Sequence, residues 1–414
     1  MLGLSDVKEV VSAGQWFTKT ENLDQLGRSF TGAVTNHILS LATVGVGLLG
    51  LLLIRFRSGG ELHRLGELAA KRGCRDYGVS IAAFLQTAGR AGLVPVVVIV
   101  LGWILSLEGT PGSFTSCIAH GLTVTGWVML PFEFLRGACR VNGLAASHFD
   151  WSEGFRKTAR TNLLWLVAIG APLMFVAVSI EGSNGEPSKR LARLAVIGLI
   201  ISAMIVGWRV YQIFRPGGAA WVDNLAGLRA SIHRLRSVAV LAILIGLALL
   251  LLFAVLGFYD SVYKIGSSIL QTVILLVAAV IVFAMAMRFL LVRRRRLRFE
   301  QLIQQRRAAI QAAELQAQTD KVNIASEALE IDLQNEAGMD ITDVSRQARE
   351  LTCVVFLIVI TVVLLAIWQY LLPATRILDS VELWRVKIDS KTEFVTARDP
   401  VSYTHLTLPT TPYV

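Results

Sequence analysis

The chain has 414 residues, of which 54% are hydrophobic and 17% charged, with a formal net charge of +10 and a mean hydropathy of +0.58. Soluble domains carry roughly 25% charged residues, whereas here the apolar residues gather in blocks of about 17 to 23, long enough to cross a hydrocarbon core of roughly 30 Å as helix. That distribution excludes an ordinary soluble domain, and it places the basic residues at block ends, where they mark topology rather than nucleic-acid binding.

Residues 1–33 read as a lead-in outside the bilayer. Asp6, Lys8, Glu9, Lys19, Glu21 and Asp24 are spread through it, so it lacks the compact n-region and h-region of a signal peptide. The predicted spans follow at Val34–Ile54, Ala91–Leu107, Cys117–Leu135, Leu163–Ile180, Leu191–Phe214, Val238–Phe258, Ile269–Leu291 and Leu351–Leu372. Each must be a helix, because only internal bonding satisfies the backbone in lipid. The predicted fold class is therefore an all-α integral membrane protein of about eight transmembrane helices. Pro95, Pro131 and Pro172 fall inside three spans, where they remove a backbone donor and serve as candidate hinges.

Lys and Arg placement orients the spans. The loop after the first span holds Arg55, Arg57, Arg64, Lys71, Arg72 and Arg75, and the loop after the third holds Arg136, Arg140, Arg156, Lys157 and Arg160. Arg209, Arg215, Arg229, Arg234 and Arg236 follow the fifth, and Arg293 to Arg296 the seventh, while the intervening loops are poor in base. The alternation puts the basic loops inside and both ends of the chain on the outer, periplasmic side.

Beyond the seven spans of residues 34–292, residues 293–350 read as a cytosolic helical hairpin. Arg293–Gln334 lacks Pro and Gly and should extend the seventh helix, Asn335 to Gly338 should break it, and Ile341–Glu350 should lead into the eighth span at 351–372. Residues 373–400 read as an outer-side loop. Val401–Thr410 back-translates, codon by codon, into the adaptor of transposase-based sequencing libraries, so 401–414 reads as adaptor read-through and the natural sequence is expected to break off near Asp399.

Chemistry-bearing motifs are few. Cys74, Cys117, Cys139 and Cys353 have no C-x-x-C spacing, so neither zinc nor a disulfide framework is supported. Gly45-Val46-Gly47-Leu48-Leu49-Gly50 matches G-x-G-x-x-G but lies within a span, where helix packing through small residues is the reading. Glu133 is one turn from Arg136, as for a local ion pair, and His120 sits near an interface. His148 and Asp150 lack further metal ligands nearby, so a structural role is expected, and Trp151 reads as an interfacial aromatic. No catalytic, cofactor or metal site is predicted, and no enzyme. Arg293, Arg294, Arg295 and Arg296 are candidate contacts for anionic lipid headgroups, with topology marking as the alternative.

Four stretches stand out together: the segment Asn142 to Trp151, Gly257-Phe258-Tyr259 before an outer loop, the segment Arg294 to Glu300, and Leu372 to Trp384 after the eighth span. In this order among the spans they resemble the large mechanosensitive channels of the potassium-efflux type, in the small-conductance (MscS) superfamily. Thr375 and Glu382 stand where the family tends to have Leu and Pro. The resemblance covers roughly Gln15 to Asp399. It implies peripheral, tension-sensing helices laid out as antiparallel hairpins in a paddle, for protection against osmotic shock. It further implies a bacterial inner-membrane location and a heptamer when whole, with the pore helix and vestibule lying beyond these residues. The competing readings are a multi-span transporter, which predicts polar groups within the membrane, and a non-conducting sensor or scaffold acting through residues 293–350.

Overall fold

The computed structural model describes residues 14–70, 76–141, 143–149, 151–183, 189–214, 228–318, 347, 350–369, 382–388 and 391–396. Among the described residues the helices run, in chain order, α1 Thr20–Asn36, α2 Ile38–Ala70, α3 Gly78–Ser106, α4 Phe114–Ala138, the single turn α5 Leu144–Ser147, α6 Glu153–Glu181, α7 Lys189–Phe214, α8 Leu228–Leu256 and α9 Tyr259–Gln318. A further apolar helix, α10, covers Glu350–Trp368. Among the described residues, seven helices are long and apolar enough to cross a membrane, and Val240–Leu256 of α8 is a shorter apolar helix. The chain is an all-α membrane protein, and the main part of each of the eight predicted spans falls on one of these helices, Val34–Ile54 straddling α1 and α2 and Leu351–Leu372 running past the end of α10.

The helices outrun the predicted spans, because an apolar block fixes only the part of a helix that lipid surrounds. α3 begins at Gly78 rather than near Ala91, and α6 begins at Glu153 rather than near Leu163. Local signals set the ends. Ser113 caps α4 by accepting a hydrogen bond from the Ser116 amide at 3.2 Å. α8 ends at Gly257, whose φ of 107° is open to glycine, and the Phe258 amide reaches back to the Phe253 carbonyl at 3.1 Å. His37 interrupts the run between α1 and α2, so the first span starts at Ile38 rather than Val34.

Sequential helices pack side by side, α2 on α3, α3 on α4, α4 on α6, α6 on α7 and α7 on α8, while α9 touches both α8 and α4. α4 lies at the centre: 44% of its apolar window is buried within the chain, against 0% for α2 and α10. One apolar cluster joins α2, α3, α4, α5 and α9 around Leu62, Phe134, Leu144 and Ile281. Two others gather at the opposite end, around Ile180, Val196 and Val262 and around Trp16, Phe114 and Ile118.

α9 runs unbroken for 60 residues, so Arg293–Gln318 extends the seventh span as expected. The predicted return arm lies almost entirely outside the described residues, as does the stretch 401–414. The region read as an outer-side loop holds a two-stranded antiparallel hairpin, Glu382–Ile388 with Lys391–Thr396, pairing Trp384 with Val395 and Val386 with Glu393. The signal was the period-two alternation of Trp384, Val386 and Ile388 with Arg385 and Lys387, too short to stand out beside a 22-residue apolar block.

Candidate functional site

The tightest packing centres on α4. A Cβ built on Gly126 would lie 2.5 Å from Ile99 Cγ1 and 3.0 Å from the Pro95 carbonyl oxygen, and one on Gly102 would lie 2.7 Å from the Ala119 carbonyl oxygen. One on Gly121 would meet Ser179 and lie 3.2 Å from the Phe175 carbonyl oxygen of α6. Glycine is required at these three positions by backbone approach, the usual basis of helix association in lipid. Gly45, Gly47 and Gly50 are not part of it: a Cβ on any of them meets nothing within 4 Å. Among the described residues, packing through small residues is found at Gly102, Gly121 and Gly126, while the glycines of the G-x-G-x-x-G of α2 face away from the other described helices.

At the arginine-rich end, polar groups tie α9 to the start of the bundle. Arg288, 7% exposed, donates from Nη2 to the Ala69 carbonyl oxygen at 3.1 Å, and the Tyr77 hydroxyl donates to the Met285 carbonyl oxygen at 3.2 Å. Ser80 Oγ and His148 Nδ1 lie 2.9 Å apart in a buried contact. Burial, with Arg288 nearby, pushes the His148 pKa down to about 4, so the ring is neutral at pH 7 and fits the structural role expected of it. Asp150 lies outside the described residues. Glu133 is buried and pairs with Arg136 through both carboxylate oxygens, at 3.1 and 3.0 Å from Nε, as the i,i+3 spacing predicts. Burial drives the Cys139 thiol up to about 11, which keeps it protonated and unreactive.

The opposite end is held by its own polar contacts. Arg193 of α7 donates to the Ala254 carbonyl oxygen at 2.6 Å and also to the Val255 carbonyl, covering orphan acceptors at the end of α8. The Tyr259 hydroxyl donates to Glu181 at 3.0 Å, Lys189 pairs with Asp260 at 3.2 Å, and Asn36 donates to Glu108 at 3.0 Å. Trp16 stacks edge-on against Phe114 with centroids 4.7 Å apart, docking the lead-in onto α4.

The predicted site residues do not converge. Pro95 is buried at the α3–α4 contact, Pro131 is half-buried in α4, and Pro172 is exposed on α6, and all three helices continue through their prolines. Arg293 to Arg296 form a collar on α9, since consecutive helical residues point about 100° apart. Arg296 pairs with Glu300 at 3.0 Å. Sequence reasoning singled out neither Arg288 nor Arg193. Arg288 lies inside the predicted seventh span, and an arginine inside an apolar block was the signal available.

The family described as "Mechanosensitive ion channel inner membrane domain 1" matches residues 38–384. The chain belongs to that mechanosensitive ion channel family, of the MscS type. It is 24% identical over 319 residues to the miniconductance mechanosensitive channel MscM of Escherichia coli (strain K12), covering 75% of this chain and 27% of the relative. No solved structure matches. The chain therefore spans about a quarter of the curated relative, and the family is one of channels rather than enzymes.

Proposed function

We propose that the described helices form the tension-sensing membrane periphery of a mechanosensitive channel that relieves osmotic shock. The observation that carries this reading is how little of the row is covered by its own chain: the apolar windows of α2 and α10 are 0% buried and that of α9 is 6% buried. A channel opens under tension in proportion to the extra membrane area of its open state. A row of helices faced largely by lipid enlarges that area, and mismatch or curvature acts on it directly. Pro95, Pro131 and Pro172 supply hinges for such bending, and the Arg293–Arg296 collar engages anionic headgroups where α9 leaves the bilayer.

Basic-loop alternation supports an orientation with the arginine-rich end inside and both ends of the chain periplasmic. The resemblance supports a heptameric ring with the conducting path outside these helices. A transporter would line its cavity with polar groups. The cavity between α4, α6, α7, α8 and α9 is instead almost wholly apolar.

The test is patch recording in giant spheroplasts stripped of endogenous mechanosensitive channels. The 414-residue chain should stay silent up to rupture. A chimera carrying these helices in place of the matched segment of the Escherichia coli relative should open at an altered tension. Tension-gated steps from the 414-residue chain alone would put the pore among these helices and overturn the assignment.

A further inference from the structure

The groove between α6 and α7 carries a polar pair that no contact described above accounts for. Asn162 is 4% exposed, its Oδ1 lies 3.5 Å from Arg209 Nη1, and its Nδ2 has no hydrogen-bond partner among the described residues. A buried amide donor without an acceptor is costly and calls for a ligand oxygen. Arg209 is exposed and offers a guanidinium with five N–H donors.

Deeper along the same groove, of about 260 Å3, the walls are Trp165, Leu166, Ile169, Ile205 and Val206. Leu166 and Ser202 also line the apolar cavity of about 240 Å3, so groove and cavity adjoin across these two side chains.

We propose that groove and cavity together bind one membrane phospholipid, with its phosphate or ester oxygens on Asn162 and Arg209 and one acyl chain passing Leu166 and Ser202 between α6 and α7 into the cavity. Arginine matches phosphate in geometry and charge, and the amide supplies a neutral donor beside it. The apolar cavity has too few polar partners to hold water, but it suits a hydrocarbon chain. From Arg209 to Val196 along α7 is about 20 Å, and one leaflet supplies about half of a 30 Å hydrocarbon core. Trp165 and Trp208, each about half exposed, flank the polar end as interfacial aromatics do. The site stands or falls on occupancy and does not depend on the tension-sensing reading.

Native mass spectrometry of the 414-residue chain, purified without added lipid, tests it. One phospholipid should survive removal of the loosely held lipids, and millimolar inorganic phosphate should not displace it. Asn162→Leu combined with Arg209→Gln should lower occupancy about tenfold. Gly170→Leu should do likewise by filling the cavity, since a Cβ at Gly170 makes only ordinary contact, 3.7 Å from Leu199. Equal retention in the wild type and both variants, or a phosphate adduct without lipid, overturns the proposal. Should Gly170→Leu fail to fold, wild-type protein in phosphatidylglycerol vesicles bearing a photoactivatable acyl chain decides. Cross-links should concentrate on Leu166–Met174 and Leu199–Ala203, and cross-links spread evenly over α2 and α10 overturn it.

Discussion

Arg288 on α9 donates to the main-chain oxygen of Ala69 near the end of α2, a bond between residues 219 positions apart at 3.1 Å. It fixes the long helix to the far side of the row, where apolar contact in lipid alone gives little orientation. Arg288→Met keeps bulk but leaves that carbonyl without its donor. The expected loss is about 1–3 kcal/mol, read as a lower melting temperature in the same detergent. An unchanged melt would show that packing alone holds α9 in place.

His148 gives the same region a pH dependence. Its folded pKa, at about 4, lies below the ordinary value of 6.5. Between those values the unfolded chain binds more protons than the folded one, so stability rises with pH and is lost as pH falls from about 6.5 toward 4. The loss should be at most about 3 kcal/mol. Thermal melts at pH 7 and pH 5 should differ in the wild type, and the difference should shrink in His148→Asn. An equal difference in the variant would assign the effect to other groups.

The glycine contacts make a paired comparison. Gly126→Val pushes a side chain into Ile99 and the Pro95 carbonyl, and should destabilise by about 1–3 kcal/mol or more. Gly47→Val points into open space and should stay within about 0.5 kcal/mol. Similar losses in both would mean that α2 meets a partner along its glycines, and cross-linking of copies through Gly47→Cys would then find it.

Sidedness is tested at two exposed positions. With native cysteines removed, Ser261→Cys should react with an impermeant thiol reagent on intact spheroplasts, and Gly154→Cys only after lysis. Labelling of both from the same side would break the alternation on which the proposed orientation rests.

The Arg293–Arg296 collar has its own test. Changing all four to Gln should reduce anionic lipid retained on purification, more so at low salt, where screening is weakest. Equal retention would leave the collar as a topology marker alone.

The spans were legible because lipid imposes one rule on every residue of a segment, and Val34–Ile54 or Ile269–Leu291 satisfies it without reference to any other part of the chain. The Glu133–Arg136 pair was legible for the same local reason, whereas the Gly257 turn was not, since the apolar block ran on to Phe258. Which glycine meets a partner was not, because Gly47 and Gly126 sit in equally apolar surroundings and only the neighbouring helix separates them. Asn162 and Arg209 are ordinary residues near span ends until two helices bring them together, 47 positions apart. Arg288 was masked by its closeness to the Arg293–Arg296 run.

The uninterrupted course of α9 has a mechanical consequence. Its 60 residues make a rod of about 90 Å, of which the part from Arg293 to Gln318 projects about 39 Å past the last apolar turn. With no proline or glycine between Arg293 and Gln318 to bend it, a 10° change in tilt of the embedded part would carry Gln318 sideways by about 7 Å. Small leanings of the embedded part are thereby geared up into displacements larger than a helix turn, about 39 Å along the rod from Arg293.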